Sequence, residues 1–175
     1  MQISRAFAFA VMLAALPLPA LAQGLPPGVS SLSEVYGDWQ VACTLVESEP
    51  RCAMSQTQLS NDGSRQRVLA VELTGADEAG TVTDTLAMPF GLKLDNGVGL
   101  AVDEQELFQA PFSTCLPAGC LVPLSFDANV IAQLSGGKTL GLKAVAFGTD
   151  QEVALSVSLN GLAPALARMG QINSN

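Results

Sequence analysis

The sequence predicts an all-β domain, an antiparallel β-sandwich of the Ig-like or jelly-roll-like kind, with one or two short helices and two disulfides. Short segments of alternating apolar and polar residues follow each other closely, with turn-forming residues between them. Four cysteines lie in two close pairs, a pattern typical of exported domains. About 150 residues follow a removable leader, which is enough for one domain with its own core.

Residues 1–22 have the form of a secretory signal peptide. Arg5 precedes an apolar run over residues 6–16, and the segment ends in Ala20-Leu21-Ala22. The run is shorter than the ~20 residues that a membrane-spanning helix needs. We therefore expect cleavage after Ala22 and an exported protein with no transmembrane segment. The periplasm is the expected location, with secretion or association with the cell surface as open alternatives.

The remaining chain divides into a flexible lead-in (23–34), a single sandwich domain (35–170) and a frayed tail (171–175). Within the domain, alternating apolar positions and β-branched residues predict the strands. In chain order these are Trp39–Cys43, Cys52–Leu59, Arg67–Thr74, Thr81–Leu86, Gly91–Asp95, Val98–Asp103, Leu121–Phe126, Thr139–Phe147 and Glu152–Leu159.

Turn and cap residues predict how these elements connect. Asn61-Asp62-Gly63 predicts one hairpin, and Asn96-Gly97 predicts the clearest one, because Asn-Gly supplies the positive φ angles of a type I′ turn. Pro123 indicates an edge position for its strand, since proline cannot donate to a ladder. Asp127 can cap a short helix through about residue 134. Residues 162–169 predict one or two helical turns.

The two cysteine pairs favour local disulfides, Cys43–Cys52 and Cys115–Cys120. The second loop contains a proline and a glycine, which suit a tight turn. Zinc ligation is an alternative, but only the second pair has the usual knuckle spacing. A redox role would normally use Cys-x-x-Cys, which is absent. Trp39 shares a strand face with Cys43, which favours a core position over a ligand platform.

Composition excludes several functions. The chain has 8 Lys and Arg against 16 Asp and Glu, a net charge of −8, which becomes −9 if Arg5 leaves with the leader. Nucleic acid is a poor partner for such a chain, because phosphate binding depends on clustered basic residues. The absence of histidine rules out a Ser-His-Asp triad and a Cys-His pair. We expect no cofactor, no metal site and no enzymatic activity.

Two groups of residues are candidate sites. Phe108, Phe112 and Leu116 lie on the approach to the second cysteine pair, where an apolar loop could bind a partner; the alternative is that they fold back into the core. Asp103, with the nearby Glu104 and Glu106, forms the densest acidic cluster. Such carboxylates can bind calcium or perform acid–base chemistry, but solvated surface charge is the simpler interpretation.

Three segments, in this order and spacing, resemble the invasion-associated locus B family of exported bacterial proteins. They are Tyr36–Cys43 with Cys52–Gln56, Met88–Leu94 with Gly97–Asp103, and Phe112–Cys115 with Gly119-Cys120, trailing to Val157–Leu162. The resemblance covers about residues 36–169. It implies a β-sandwich in the periplasm or at the surface of Gram-negative bacteria. It carries over no catalytic residues.

These observations together predict a non-enzymatic binding protein of the bacterial envelope, with an envelope or host protein as partner and an undetermined oligomeric state. The first alternative is a small-molecule or lipid-binding protein with a cavity between its sheets. The second is a hydrolase that uses carboxylates alone, such as Asp103 with Glu106.

Overall fold

The structure, a computed structural model, describes Leu25 and residues 28–60, 63–75 and 81–173. Alternating burial along the strands explains why these segments form sheets, since every second side chain enters the core. The strands are β1 Ser31–Tyr36, β2 Trp39–Val46, β3 Glu49–Leu59, β4 Arg67–Thr74, β5 Val82–Met88, β6 Val98–Val102, β7 Gln105–Ala110, β8 Thr114–Leu116, β9 Gly119–Phe126, β10 Thr139–Val145 and β11 Glu152–Ser158. The helices are α1 Ala128–Gly136 and α2 Leu162–Asn173.

Two antiparallel sheets form the domain. The larger sheet has the order β1-β2-β3-β4-β5-β9-β8, and its first five strands are a meander in chain order. The smaller sheet has the order β11-β10-β6-β7. The predicted fold class, antiparallel sheets with two short helices and two disulfides, is confirmed. β9 is covered by β8 only at residues 119–121, so Pro123 lies on an open edge, as predicted.

The core lies between the inner faces of both sheets and under the two helices. Trp39 is 1% exposed and Leu142 is fully buried, so each sheet contributes large apolar side chains. Leu134 of α1 and Ile172 of α2 are buried as well. The side chain of Asp127 caps α1 by accepting the N–H of Val130 at 2.9 Å, as the sequence predicts.

Both disulfides are the local ones that the sequence favours, Cys43–Cys52 and Cys115–Cys120. Each joins residues that lie directly opposite each other in a hairpin, between β2 and β3 and between β8 and β9. The Cα atoms are 4.1 Å and 3.9 Å apart. In both hairpins the cysteines are non-hydrogen-bonded pairs, the positions at which opposite Cα atoms approach most closely.

The predicted hairpin around Asn96-Gly97 is wrong. Leu94–Asn96 forms a 3₁₀ turn, Leu92 makes a single bridge to Ala146, and β6 pairs with β7 and β10 instead. The tight turn is at Asp103-Glu104, where both residues have positive φ, 45° and 74°. These angles match a type I′ turn without the usual asparagine and glycine.

Two predicted boundaries also change. β1 begins at Ser31, so the last residues of the predicted lead-in belong to the larger sheet. α2 runs three turns to Asn173, and the full burial of Ile172 explains why the helix continues past the predicted start of fraying at Gln171.

The leader over 1–22, Asn61 with Asp62, and residues 174 and 175 lie outside the described residues. Among the described residues, no helix is long and apolar enough to cross a bilayer.

Candidate functional site

The structure separates the three apolar candidates near the second disulfide. Phe112 packs partly buried against the core. Phe108 is 37% exposed, and its ring centroid lies 6.2 Å from that of buried Phe126, so it turns toward the interior. Only Leu116, which is 49% exposed, projects from the β8–β9 hairpin. Phe112 therefore supports the sandwich, Phe108 stays partly accessible beside the core, and Leu116 is the most exposed of the three.

The hairpin that carries Leu116 is held firmly in place. The guanidinium of Arg67 donates to the Ala118 carbonyl at 2.7 Å. Gly119 has a φ of +131°, and a Cβ there would lie 2.6 Å from the Met88 carbonyl oxygen. Only glycine allows this approach, so the turn is tied to the end of β5. A short disulfide-closed hairpin with these contacts presents its apolar residue with little conformational freedom.

Two exposed phenylalanines lie on loops that follow β5 and β10. Phe90 follows the end of β5, where Met88 pairs with Cys120, and it is 62% exposed. Phe147 follows β10 and is 75% exposed. The Phe147 N–H donates to the Gly91 carbonyl at 2.8 Å, which ties the two loops together. An ion pair between Lys93 and Asp150 adds a second tie.

We call Phe90, Leu94, Leu116 and Phe147 the apolar end surface, since all four emerge from one end of the domain and are at least 41% exposed. Large exposed apolar groups on rigid loops are typical of protein-binding surfaces. Sequence reasoning missed Phe90 and Phe147 because it placed them near or within strands. The sequence did contain a signal for loops at these positions. Each phenylalanine is followed by a glycine, Gly91 or Gly148, and both glycines have positive φ in the structure.

The acidic cluster has a structural role at its first member. Both carboxylate oxygens of Asp103 accept backbone N–H groups, from Lys138 at 2.9 and 3.1 Å and from Thr139 at 2.9 Å. This carboxylate thereby fixes the start of β10 to the β6–β7 turn. Glu104 and Glu106 are exposed. Over the described ranges, no three metal-ligating side chains cluster.

A groove of about 1250 Å³ lies on the outer face of the smaller sheet rather than between the sheets. Its floor includes Gly99, Ala101 and Gly141, which alternate with the buried residues of β6 and β10. Lys143 and Glu152, 3.9 Å apart, lie on its rim. The inner faces that the small-ligand hypothesis needed are occupied by packed core side chains.

Asp84 is a buried carboxyl that sequence reasoning missed. It is 4% exposed and lies between Leu73 of β4 and Leu124 of β9. Among the described residues, neither carboxylate oxygen has a partner within hydrogen-bond geometry. The nearby backbone groups of Thr85 and Glu72 lower the pKa of Asp84 and offset the effect of burial only in part. Burial raises the pKa of the Asp84 carboxyl to about 7. The sequence did contain a signal. Asp84 is two residues from both Val82 and Leu86, so its side chain lies on the same apolar face of the strand as theirs.

Comparison with known proteins gives consistent matches. The family model described as "Invasion associated locus B (IalB) protein" matches residues 39–170. An invasion protein B homologue of Brucella abortus (strain 2308) is 42% identical over 152 residues, which cover 87% of each chain. Invasion protein B of Bartonella bacilliformis is 36% identical over 148 residues, which cover 83% of this chain and 78% of that protein. A crystal structure of invasion associated protein b from Bartonella henselae superposes with a TM-score of 0.73 at 33% identity, covering 79% of this chain and 94% of that one.

Proposed function

The chain belongs to the invasion-associated locus B family, and from that premise we propose that it is a non-enzymatic binding protein of the bacterial envelope. The observation that carries the proposal is the apolar end surface, above all the exposure of Phe90 and Phe147 on loops joined by a backbone hydrogen bond. The partner is a protein of the envelope or of a host cell. The names of the relatives mention invasion, and a role of this chain in host contact is part of the same proposal.

The physical argument rests on preorganisation. Aromatic side chains dominate protein interfaces because each buries a large area at the cost of few rotatable bonds. Phe147 and Phe90 are held in place by their loops before any partner arrives, so binding them costs little conformational entropy. The net charge of −8 disfavours an anionic lipid surface as the partner.

Export is the second part of the proposal. Two disulfides in a small domain are typical of an oxidising compartment, and the family supports an extracytoplasmic protein. The periplasm is the proposed compartment, reached through the leader over residues 1–22.

The test is site-specific crosslinking in cells. A photoreactive amino acid at position 147 should capture a discrete partner band that mass spectrometry identifies. The matched control is position 46, because Val46 is 50% exposed but lies at the β2–β3 turn, at the opposite end of the larger sheet. With the photoreactive amino acid moved to position 116 on the same surface, the combination of Phe90→Ser and Phe147→Ser should abolish capture of the partner. The melting temperature should stay within about 2 °C, as expected for exposed side chains.

Capture at position 46 as strong as at 147 would contradict the proposal, and so would a band that survives the double substitution. Self-crosslinks alone from position 147 would also count against it. A small molecule that copurifies with the protein in native mass spectrometry, and is lost on substituting the groove residue Gly141, would favour the ligand-binding alternative instead.

A further inference from the structure

β1 is an edge strand with open hydrogen-bonding groups. It forms a two-residue hairpin with β2 that is closed by the pair Tyr36 and Trp39, and Ser30 accepts a hydrogen bond from the Leu45 N–H at 2.9 Å. Both contacts show that the even-numbered residues of β1 form the hydrogen-bonded pairs with β2. The backbone N–H and C=O groups of Ser31, Ser33 and Val35 therefore point away from the sheet. They form a regular acceptor and donor row along the whole strand.

Other open edges in the described part of the chain carry features that oppose strand addition. On β11, the side chains of Gln56 and Gln58 bind the backbone of Ser158 and Ser156. β7 has an irregular register opposite residues 100 and 101 and an exposed Glu106. The free part of β9 contains Pro123, and β8 is only three residues long. β1 has six residues, regular pairing and no proline.

The charge on β1 is already neutralised. Arg168 donates to both carboxylate oxygens of Glu34, at 2.8 and 3.1 Å, and Tyr36 donates to the same carboxylate at 2.8 Å. α2, which carries Arg168, packs mostly over β3 and less over β2 and β1, so the outer edge of β1 is not covered by the helix. Within the described residues, the edge is thus uncharged and exposed at Ser31, Ser33 and Val35.

We propose that a second copy of this chain occupies this edge, with the two β1 strands antiparallel across a two-fold axis at Ser33. In this register Ser33 faces Ser33 of the second copy, and Val35 faces Ser31 of the second copy. The three outward-facing residues of each strand then exchange about six backbone hydrogen bonds, which joins the two larger sheets into one.

The length of the strand selects the register. With the axis at Ser33, all three outward-facing residues of one copy pair with outward-facing residues of the other. Moving the axis by one residue toward the C-terminus would place Ser31 opposite Gly37 of the second copy, which lies in the β1–β2 turn. Moving it the other way would place Val35 opposite residue 29, before the strand begins. The strand is therefore complementary to itself in the one register that uses its full length.

The test compares the association state of the wild type with that of two Ser33 variants that carry opposite charges. Wild-type protein should sediment as a dimer at about 100 µM, a concentration suited to a small interface. Ser33→Lys and Ser33→Glu should each halve the mean mass, because each places like charges opposite each other at the two-fold axis. An equimolar mixture of the two variants should return to the dimer mass, because lysine then faces glutamate.

The matched control is Gln105→Lys on β7, another exposed residue on an edge strand, which should remain dimeric. In the described part of the chain, the Ser33 side chain accepts an exposed hydrogen bond from Gln40, and the variants lose that bond. The monomer should therefore stay folded, with an unchanged melting temperature. A wild type that is monomeric at all concentrations would overturn the proposal and leave the edge to a foreign strand. A dimer that survives Ser33→Lys would overturn it too, as would a mixture that stays monomeric. None of these outcomes depends on the apolar end surface, so they leave the proposed function untouched.

Discussion

At the scale of single residues, Asp84 shows a conflict between chemistry and position. This carboxyl lies on the core face of β5, where neither oxygen has a hydrogen-bond partner among the described residues, so burial favours its protonated form. Its pKa of about 7 lies well above the ordinary value of 3.8. Between these two values the unfolded chain loses the proton and the folded chain keeps it. The free energy of unfolding therefore falls as the pH rises from about 4 to about 7, and levels off above that range.

Asp84→Asn should remove this pH dependence. The asparagine keeps the shape and cannot ionise, so the variant should be more stable than the wild type above about pH 7, by up to about 4 kcal/mol, and similar to it near pH 4. Urea denaturation from about pH 4 to about pH 8 measures the difference. Asp95→Asn, the same change at an exposed position, should follow the wild-type curve. Parallel curves for Asp84→Asn and the wild type would refute this assignment.

At the scale of elements, β11 has an edge that is completed by side chains. The amide of Gln56 donates to the Ser158 carbonyl at 3.1 Å and accepts the Ser158 N–H at 3.1 Å, much as a neighbouring strand would. The indole N–H of Trp39 donates to the same carbonyl at 3.0 Å. Residues of the larger sheet thus cap an edge of the smaller one, which both satisfies the backbone and joins the sheets.

Gln56→Ala should lower the free energy of unfolding by about 1–3 kcal/mol, because it leaves the Ser158 N–H without its partner. Chemical denaturation measures the change. Gln40→Ala is the control, since Gln40 makes one exposed hydrogen bond, to Ser33, and its loss should cost less than about 0.5 kcal/mol. Equal losses in the two variants would mean that the cap does not stabilise the edge.

Elements with a local signal were predictable, and those that depend on tertiary approach were not. β4 has the predicted bounds, Arg67–Thr74, and Asp127 caps α1 as expected. The hairpin predicted at Asn96-Gly97 is absent, and Gly97 instead allows a close approach of two backbone segments. A Cβ there would lie 2.6 Å from the Ala110 carbonyl oxygen of β7. The Gln56 cap and the exposure of Phe147 depend on how distant segments meet. Of the predicted binding residues, Leu116 is the most exposed, Phe108 is 37% exposed at the edge of the core, and Phe112 is partly buried, and these differences also depend on tertiary packing.

At the scale of the whole molecule, two segments of the family resemblance meet in space. The β1–β2 turn and the β11–α2 loop interlock: the Asp38 N–H donates to the Asn160 carbonyl at 3.1 Å, and the Asp38 carboxylate accepts the Ser158 hydroxyl at 2.6 Å. This junction lies beside the Trp39 contact and ties the first hairpin of one sheet to the last strand of the other. The residues that carry the family resemblance at this junction therefore have a structural role.

Gly161→Ala should break this junction. Gly161 has a φ of +91°, and a Cβ there would overlap the carbonyl oxygen of Tyr36, so the two segments would have to separate. Gly148→Ala is a matched control, because Gly148 has a φ of +86° but nothing within 4 Å of the added carbon. In the control, the free energy of unfolding should fall by about 1–2 kcal/mol, the cost of a left-handed backbone for alanine. In Gly161→Ala it should fall by more than about 4 kcal/mol. Thermal unfolding of both variants measures the difference, and equal losses would show that the junction tolerates the added carbon and that backbone conformation alone requires glycine there.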